Sequence, residues 1–384
     1  MLKCFRVPLS TIAVVALTLS AVTGLGVVPA SAAMVMPAVE DVVGDMIYSA
    51  DSSAVGAGAT VTSYLGPEGA VVIPATVTLD SVTYAVKKIG YEAFRNRGLT
   101  ALTIPSSVTT IDNGAFALNQ LTTVTIPSSV TQLGEFAFFD NALTSVTLPS
   151  ALTAINVYAF GYNELTSVSI PSTVTTIGAR AFNSNKLTSV TIPSSVTSLG
   201  EAVFQNNLLA SVSIPSSLTT IAVSAFAHNN LTSVTIPETV TEIGVYAFED
   251  NLLTSVKIPD AVVSVGGASF ADNQLTSVRI GNSVADLGNS AFIRNELTSV
   301  TIPASVTYMD RATFVDNPLV SVFMRGAAPT IAPAAVDGSF GEGTNLTVYY
   351  PAASSAGYAS PWSGYSTAVA ELFETESTPA IVGT

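Results

Sequence analysis

From about residue 99 onward, apolar and polar positions follow one short template over and over. The unit beginning at Leu187 reads Leu-Thr-Ser-Val-Thr-Ile-Pro, then Ser-Ser-Val-Thr-Ser-Leu-Gly, then Glu-Ala-Val-Phe-Gln-Asn-Asn-Leu. The alternation Ser189-Val190-Thr191-Ile192 has the period of two that marks a strand with one buried face, and Pro193 ends it. A second extended piece, Val196 to Leu199, closes at Gly200. The segment through Ala202 and Phe204 has room for one turn of helix before the chain returns. The pattern therefore predicts two short parallel strands and a compact helical turn in each unit.

The step between units does not vary. Leu99, Leu121, Leu143 and their successors to Leu319 stand 22 residues apart, as do the phenylalanines from Phe94 to Phe314. Ten asparagines, Asn119 to Asn317, make a third column, and prolines from Pro105 to Pro303 a fourth, broken only by Gly281. So short a unit cannot bury its own apolar face. Its Leu, Val, Ile and Phe must pack on the same columns of the units above and below, and one inserted residue would turn a strand's side chains to the wrong face. The Asn column has a physical reason as well: backbone carbonyl and N–H groups trapped between units need partners, and a carboxamide supplies both kinds.

These columns resemble the BspA-like class of bacterial leucine-rich repeats, over roughly residues 71 to 350. In many members of that class the Asn column holds Cys, and here it holds Asn. The resemblance implies exported surface proteins that act in adhesion or protein binding. With the periodicity, it leads us to expect a β-rich leucine-rich-repeat solenoid, a right-handed coil of about eleven 22-residue repeats capped at both ends.

Outside the regular stretch the chain divides in four. Residues 1–32 read as an export signal: Lys3 and Arg6 precede an apolar stretch from Val7 to Val28, and Ala30-Ser31-Ala32 supplies the small residues of a cleavage site. An uncleaved anchor is the alternative, since the stretch is long enough to span a bilayer. Residues 33–98 form an N-terminal cap with a degenerate repeat and a small hairpin around Leu79 to Val86, ahead of the solenoid at 99–326. Residues 327–370 form a C-terminal degenerate repeat with an aromatic cap, in which Tyr358, Trp362 and Tyr365 either cover the last unit or stack on carbohydrate. Residues 371–384 read as a flexible tail.

Composition narrows the chemistry. The only cysteine, Cys4, precedes the apolar leader, and the only histidine, His228, sits in a column that tolerates Asn, Leu, Asp, Tyr and Ser. Thiol chemistry, Ser-His-Asp triads and His-based zinc sites therefore lack parts, and no catalytic residue, metal site or cofactor is expected. Asp250 and Asp272 share a column, which leaves a shared calcium ion or a carboxylate pair as the remote alternative. The formal net charge of −14, about −16 without Lys3 and Arg6, opposes binding of nucleic acid. No membrane span is expected after removal of the signal, and the chain is expected to be a monomer.

What remains is surface. The outward positions of the first strand hold Ser in one column, Ser145 to Ser299, and mostly Thr or Ser in the other, giving a flat hydroxyl ladder about 50 Å long if the units stack about 4.8 Å apart. Two breaks stand out. Lys257 and Arg279 replace the hydroxyl in adjacent units, beside Glu238 and Asp260, and read either as a surface ion-pair group of little energetic consequence or as a polar hot spot for a partner. Phe136, Tyr158, Phe139 and Tyr162 form an aromatic group on the turn side of two neighbouring units, either partly core or a binding patch. The expectation is a non-catalytic secreted or cell-surface binding protein with a protein or glycan ligand, its binding residues being Lys257, Arg279, Glu238, Asp260, Phe136, Tyr158 and Tyr162. The alternative is a hydroxyl-lattice binder of insoluble polysaccharide or ice.

Overall fold

A computed structural model describes residues 40–50, 58–331, 338–341, 345–358 and 362–370. The export signal and the tail expected at 371–384 lie outside the described residues. Within them the chain winds as a β-solenoid of about twelve turns. Most coils carry two short strands that pair in parallel with their equivalents one coil away. In the first ladder Ser189, Val190 and Thr191 lie opposite Ser211, Val212 and Ser213; in the second, Glu242 and Ile243 lie opposite Ser264 and Val265. From Leu99 to Ile331 every such pair is 22 residues apart, so one register serves the repeats; only the end coils depart from it, as where Ser321 lies opposite Thr347.

The hydroxyl ladder is less continuous than the sequence suggests. Residues 167–169 and 233–235 are not strands, and the first ladder falls into separate short sheets at those coils. The second ladder runs farther, with six strands from Thr220–Ile221 to Thr330–Ile331 in one sheet.

The expected helical turn is absent from the coils; among the described residues the only helical segment is a 3-10 stretch, Ala352–Gly357, beyond the repeats. In the coil containing Phe226, the N–H groups of Ser224, Phe226 and His228 donate to Val245, Ala247 and Glu249 of the next coil at 2.8–3.0 Å. The intervening Ala225 and Ala227 N–H groups donate three residues back, each at 3.2 Å. A helix needs successive donors turned along its own axis. Here alternate donors face the neighbouring coil, and the chain achieves this by placing two residues per coil in the left-handed region. Ser224 and His228 have φ of 53° and 55°, and the same two columns keep φ between 51° and 58° at every non-glycine position, with Gly114 at 63°.

The interior is built from the repeated columns. Phenylalanine rings stack along the solenoid from Phe94 to Phe340, with Tyr64 at the N-terminal end and centroids 5.2–5.9 Å apart. The asparagines pin the backbone around them: Asn207 Nδ2 donates to Phe182 O at 2.9 Å and Phe204 O at 3.2 Å, while its Oδ1 accepts from the Leu187 N–H at 3.0 Å. Each carboxamide thus satisfies groups on two coils that burial would otherwise leave unpaired, at about 1–3 kcal/mol each.

At the N-terminal end, strands β1 (Glu40–Val43), β2 (Met46–Ala50) and β3 (Ala59–Tyr64) form an antiparallel meander, and β4 (Gly69–Val72) pairs with the first-ladder strand Leu99–Thr103. Strands β5 (Thr76–Leu79) and β6 (Val82–Ile89) make a hairpin through Asp80 and Ser81, both at positive φ, and β6 continues into the second ladder. At the other end, Tyr358 is buried, stacks on Tyr350 at 4.7 Å and meets the edge of Trp362, while Tyr365 meets Phe340 edge-on. Burial pushes the Tyr358 hydroxyl up to about 12.

Candidate functional site

On the first-ladder side the Ser and Thr columns are exposed, and four of the expected binding residues interrupt them. Lys257 and Arg279 lie directly opposite each other, a like-charge pairing that opposes the sheet. Each reaches diagonally to a carboxylate. Lys257 Nζ is 2.5 Å from Glu238 Oε1, and Arg279 donates to both oxygens of Asp260 at 3.1 and 3.2 Å. The Asn282 N–H donates to Asp260 at 2.9 Å, and this bond, with the Arg279 guanidinium, holds the Asp260 carboxyl below its ordinary range. All four side chains are about half exposed or more, so the pairs contribute little to stability.

The aromatic group lies four coil steps away from this lattice, on the turns. Phe136 and Tyr158 stack at 5.0 Å, and Phe139 meets both Tyr158 and Tyr162 edge-on at 5.3 and 5.4 Å. Phe136, Tyr158 and Tyr162 all occupy the left-handed columns, and Tyr162 is 48% exposed. None of the four rings belongs to the core. Two residues that the sequence reading passed over complete the group. Gly161 makes room for it, since a Cβ there would stand 2.7 Å from Tyr158 Cδ1, and the Arg180 guanidinium lies 5.7 Å from the centre of the Tyr158 ring.

Farther along the same turn side runs a row of charge. His228 Nδ1 is 2.9 Å from Asp250, and the Arg294 guanidinium grips Asp272 with two nitrogens. Asp250 and Asp272 thus have separate partners, and no group of three His, Cys, Asp or Glu side chains suited to a metal ion occurs among the described residues. Beside this row opens a cleft of about 510 Å³, lined among others by Tyr246, Glu249, Ala268, Ser290, Arg294 and Asp310. Desolvation pushes the Glu249 carboxyl above its ordinary range.

The profile of BspA type leucine-rich-repeat regions matches residues 87–210 and 203–320, in six copies. The chain belongs to the BspA-type leucine-rich-repeat family. A leucine-rich cell surface protein from Faecalibacterium prausnitzii is similar over 86% of this chain and 98% of its own, at 24% identity and a TM-score of 0.53. The pneumococcal vaccine antigen PcpA is similar over 87% of this chain and 99% of its own, at 17% identity and a TM-score of 0.58. At these identities the likeness carries the fold. No curated protein matches.

Within this BspA-type solenoid the seven expected residues therefore form two groups that do not meet, and the cleft is a third feature that sequence reasoning missed. Its signal was present as a loss: Gly267, Ala268 and Ala271 stand in columns that hold Val245, Tyr246 and Glu249 one coil earlier and Asn289, Ser290 and Ile293 one coil later.

Proposed function

We propose that this protein is an exported, non-catalytic binding or adhesion protein that presents its solenoid surface to a protein or glycan ligand. The observation that supports this most is the charged lattice on the strand side. The coils meet their structural demands inside, through the Leu, Phe and Asn columns, so Lys257, Arg279, Glu238 and Asp260 are not needed for stacking. Their like-charge register opposes the sheet, which is the behaviour of residues kept for a contact. The aromatic group around Tyr158 is a second contact of the same kind. The family reading and the leader-like residues 1–32 support a surface location.

The Lys257→Thr, Arg279→Thr double variant restores the hydroxyl column and should fold as the parent does by circular dichroism. Screened with the parent against host extracellular proteins and glycan arrays, it should lose about tenfold in affinity for the captured ligand. Unchanged affinity would remove the lattice from the binding surface. The exposed hydroxyl columns also support a second reading, a repetitive partner such as an insoluble polysaccharide or ice; sedimentation with insoluble glycan and thermal hysteresis test it, and silence in both ends it.

A further inference from the structure

The cleft beside Glu249 exists because one coil gives up its outward side chains. Coils stack at 5.4 and 5.5 Å between Phe248, Phe270 and Phe292, so the coils either side of the Gly267–Ala271 turn are about 11 Å apart. Between them only Gly267, Ala268 and Ala271 form the floor. One wall carries the Tyr246 ring, 43% exposed, and the Glu249 carboxyl; the other carries the Ser290 hydroxyl and the Arg294 guanidinium, with Asp310 at the end.

Three properties select an occupant. The polar lining has both signs: a cation meets Arg294, and an anion meets Glu249, Asp310 and a chain of net charge −14. Most backbone donors around the floor are engaged: Ala268 N–H donates to Asn289 O at 2.8 Å, Ala271 N–H to Ala268 O at 3.1 Å, and Ser290 N–H to Arg311 O at 2.9 Å, which leaves only separated donors at Gly267 and Asn289. The floor therefore offers no continuous edge along which a peptide strand could pair through its backbone. The remaining recognition groups are one aromatic face, carboxyls that accept, the Ser290 oxygen, which accepts while its own proton lies on Asn289 Oδ1 at 2.8 Å, and the part of the Arg294 guanidinium that Asp272 does not engage. Few neutral molecules combine an apolar face with a rim of groups that both donate and accept hydrogen bonds as a pyranose ring does.

We propose that the cleft binds a neutral hexopyranose unit of a glycan, with the sugar's C–H face on Tyr246 and its hydroxyls on Glu249, Ser290 and Arg294. The site is separate from the Lys257–Arg279 lattice and does not depend on that lattice's role.

The test is an array of neutral gluco-, galacto-, manno- and N-acetylglucosamine oligosaccharides, with sulfated or sialylated glycans and lysine-rich peptides as comparison arms, probed with the full chain. Neutral oligosaccharides should be retained and the charged arms not. Tyr246→Ala should weaken retention about tenfold, and Ala268→Tyr with Ala271→Ile should abolish it. These fillers stand in the same columns at Tyr246 and Ile293, so the coil accommodates them. Should the filled variant melt early, Tyr246→Ala combined with Glu249→Gln is read in its place and should also abolish retention. Lys257→Thr, Arg279→Thr should bind these sugars as the parent does, whatever it does to other ligands. No retention of neutral sugars, preference for either charged arm, or parent-like binding by the filled variant in its folded state would each overturn the proposal.

Discussion

At the scale of single residues, the columns show which positions are settled and which are not. Ser269 stands in a column otherwise filled mainly by Ala, is fully buried, and its Oγ has no hydrogen-bond partner among the described residues. Thr313, in the same column, donates to Asp310 O at 2.8 Å and so pairs the hydroxyl it buries. Ser269→Ala should therefore stabilise the protein by about 1 kcal/mol, read as a raised denaturation midpoint at unchanged slope. The left-handed positions offer a second case. Ala312 has φ of 54°, where a Cβ is unfavourable and Gly114 already stands in the same column. Ala312→Gly should gain about 0.5–1 kcal/mol in the same assay, after the added freedom of the unfolded chain is offset, and a loss would show that neighbouring coils have relieved the strain. The ion pairs of Lys257 and Arg279 were legible from column breaks alone. The left-handed backbone of Tyr158, Tyr162 and Arg180 was not, because nothing in those residue types favours it. It is imposed by bonds to the coil beyond.

Elements show the same division. Strand positions were readable because alternation of Val and Ile with Ser and Thr states which face is buried, and Pro193 and its equivalents mark the end. The helical expectation failed because five or six residues around Phe226 are too few to show a period of 3.6, and their donors serve the next coil. The break of the first ladder at residues 167–169 and 233–235 left no trace in residue type, since those segments carry the same Ser, Val and Thr as their paired neighbours. The C-terminal element can be tested through Tyr358. Its folded pKa, about 12, lies above the ordinary tyrosine value of about 10 because burial disfavours the phenolate. The neutral hydroxyl is therefore compatible with folding below pH 10. Between pH 10 and 12 the unfolded chain loses that proton first, so up to about 2–3 kcal/mol of stability is lost as pH rises. Titration followed by tyrosinate absorbance should show Tyr358 among the late groups, beside Tyr48 and Tyr64, which burial also raises, and Tyr358→Phe should remove one of them and reduce the stability loss over that window. A stability loss of the same size in Tyr358→Phe would place its origin elsewhere.

For the whole molecule, the constant step makes coils interchangeable parts. Each coil contacts its neighbours through the same Leu, Phe and Asn columns, so removal of residues 209–230 should join the coil before to the coil after with every column in register. That deletion should give a folded protein with a slightly lower melting temperature. Removing one residue fewer should unfold it, because a single-residue slip sends the buried side chains of the following strand outward; equal stability for the two would refute register control. The stack of rings from Phe94 to Phe340 has a mechanical consequence as well. A load applied along the chain meets a series of nearly identical contacts, each only one coil deep. A coil that peels away gives up about 5.5 Å of stacked length and pays out 22 residues of backbone, about 70 Å when drawn taut. Pulled from its ends, the protein lengthens in even increments and dissipates work at each, so that a tether built this way yields by stages before it breaks.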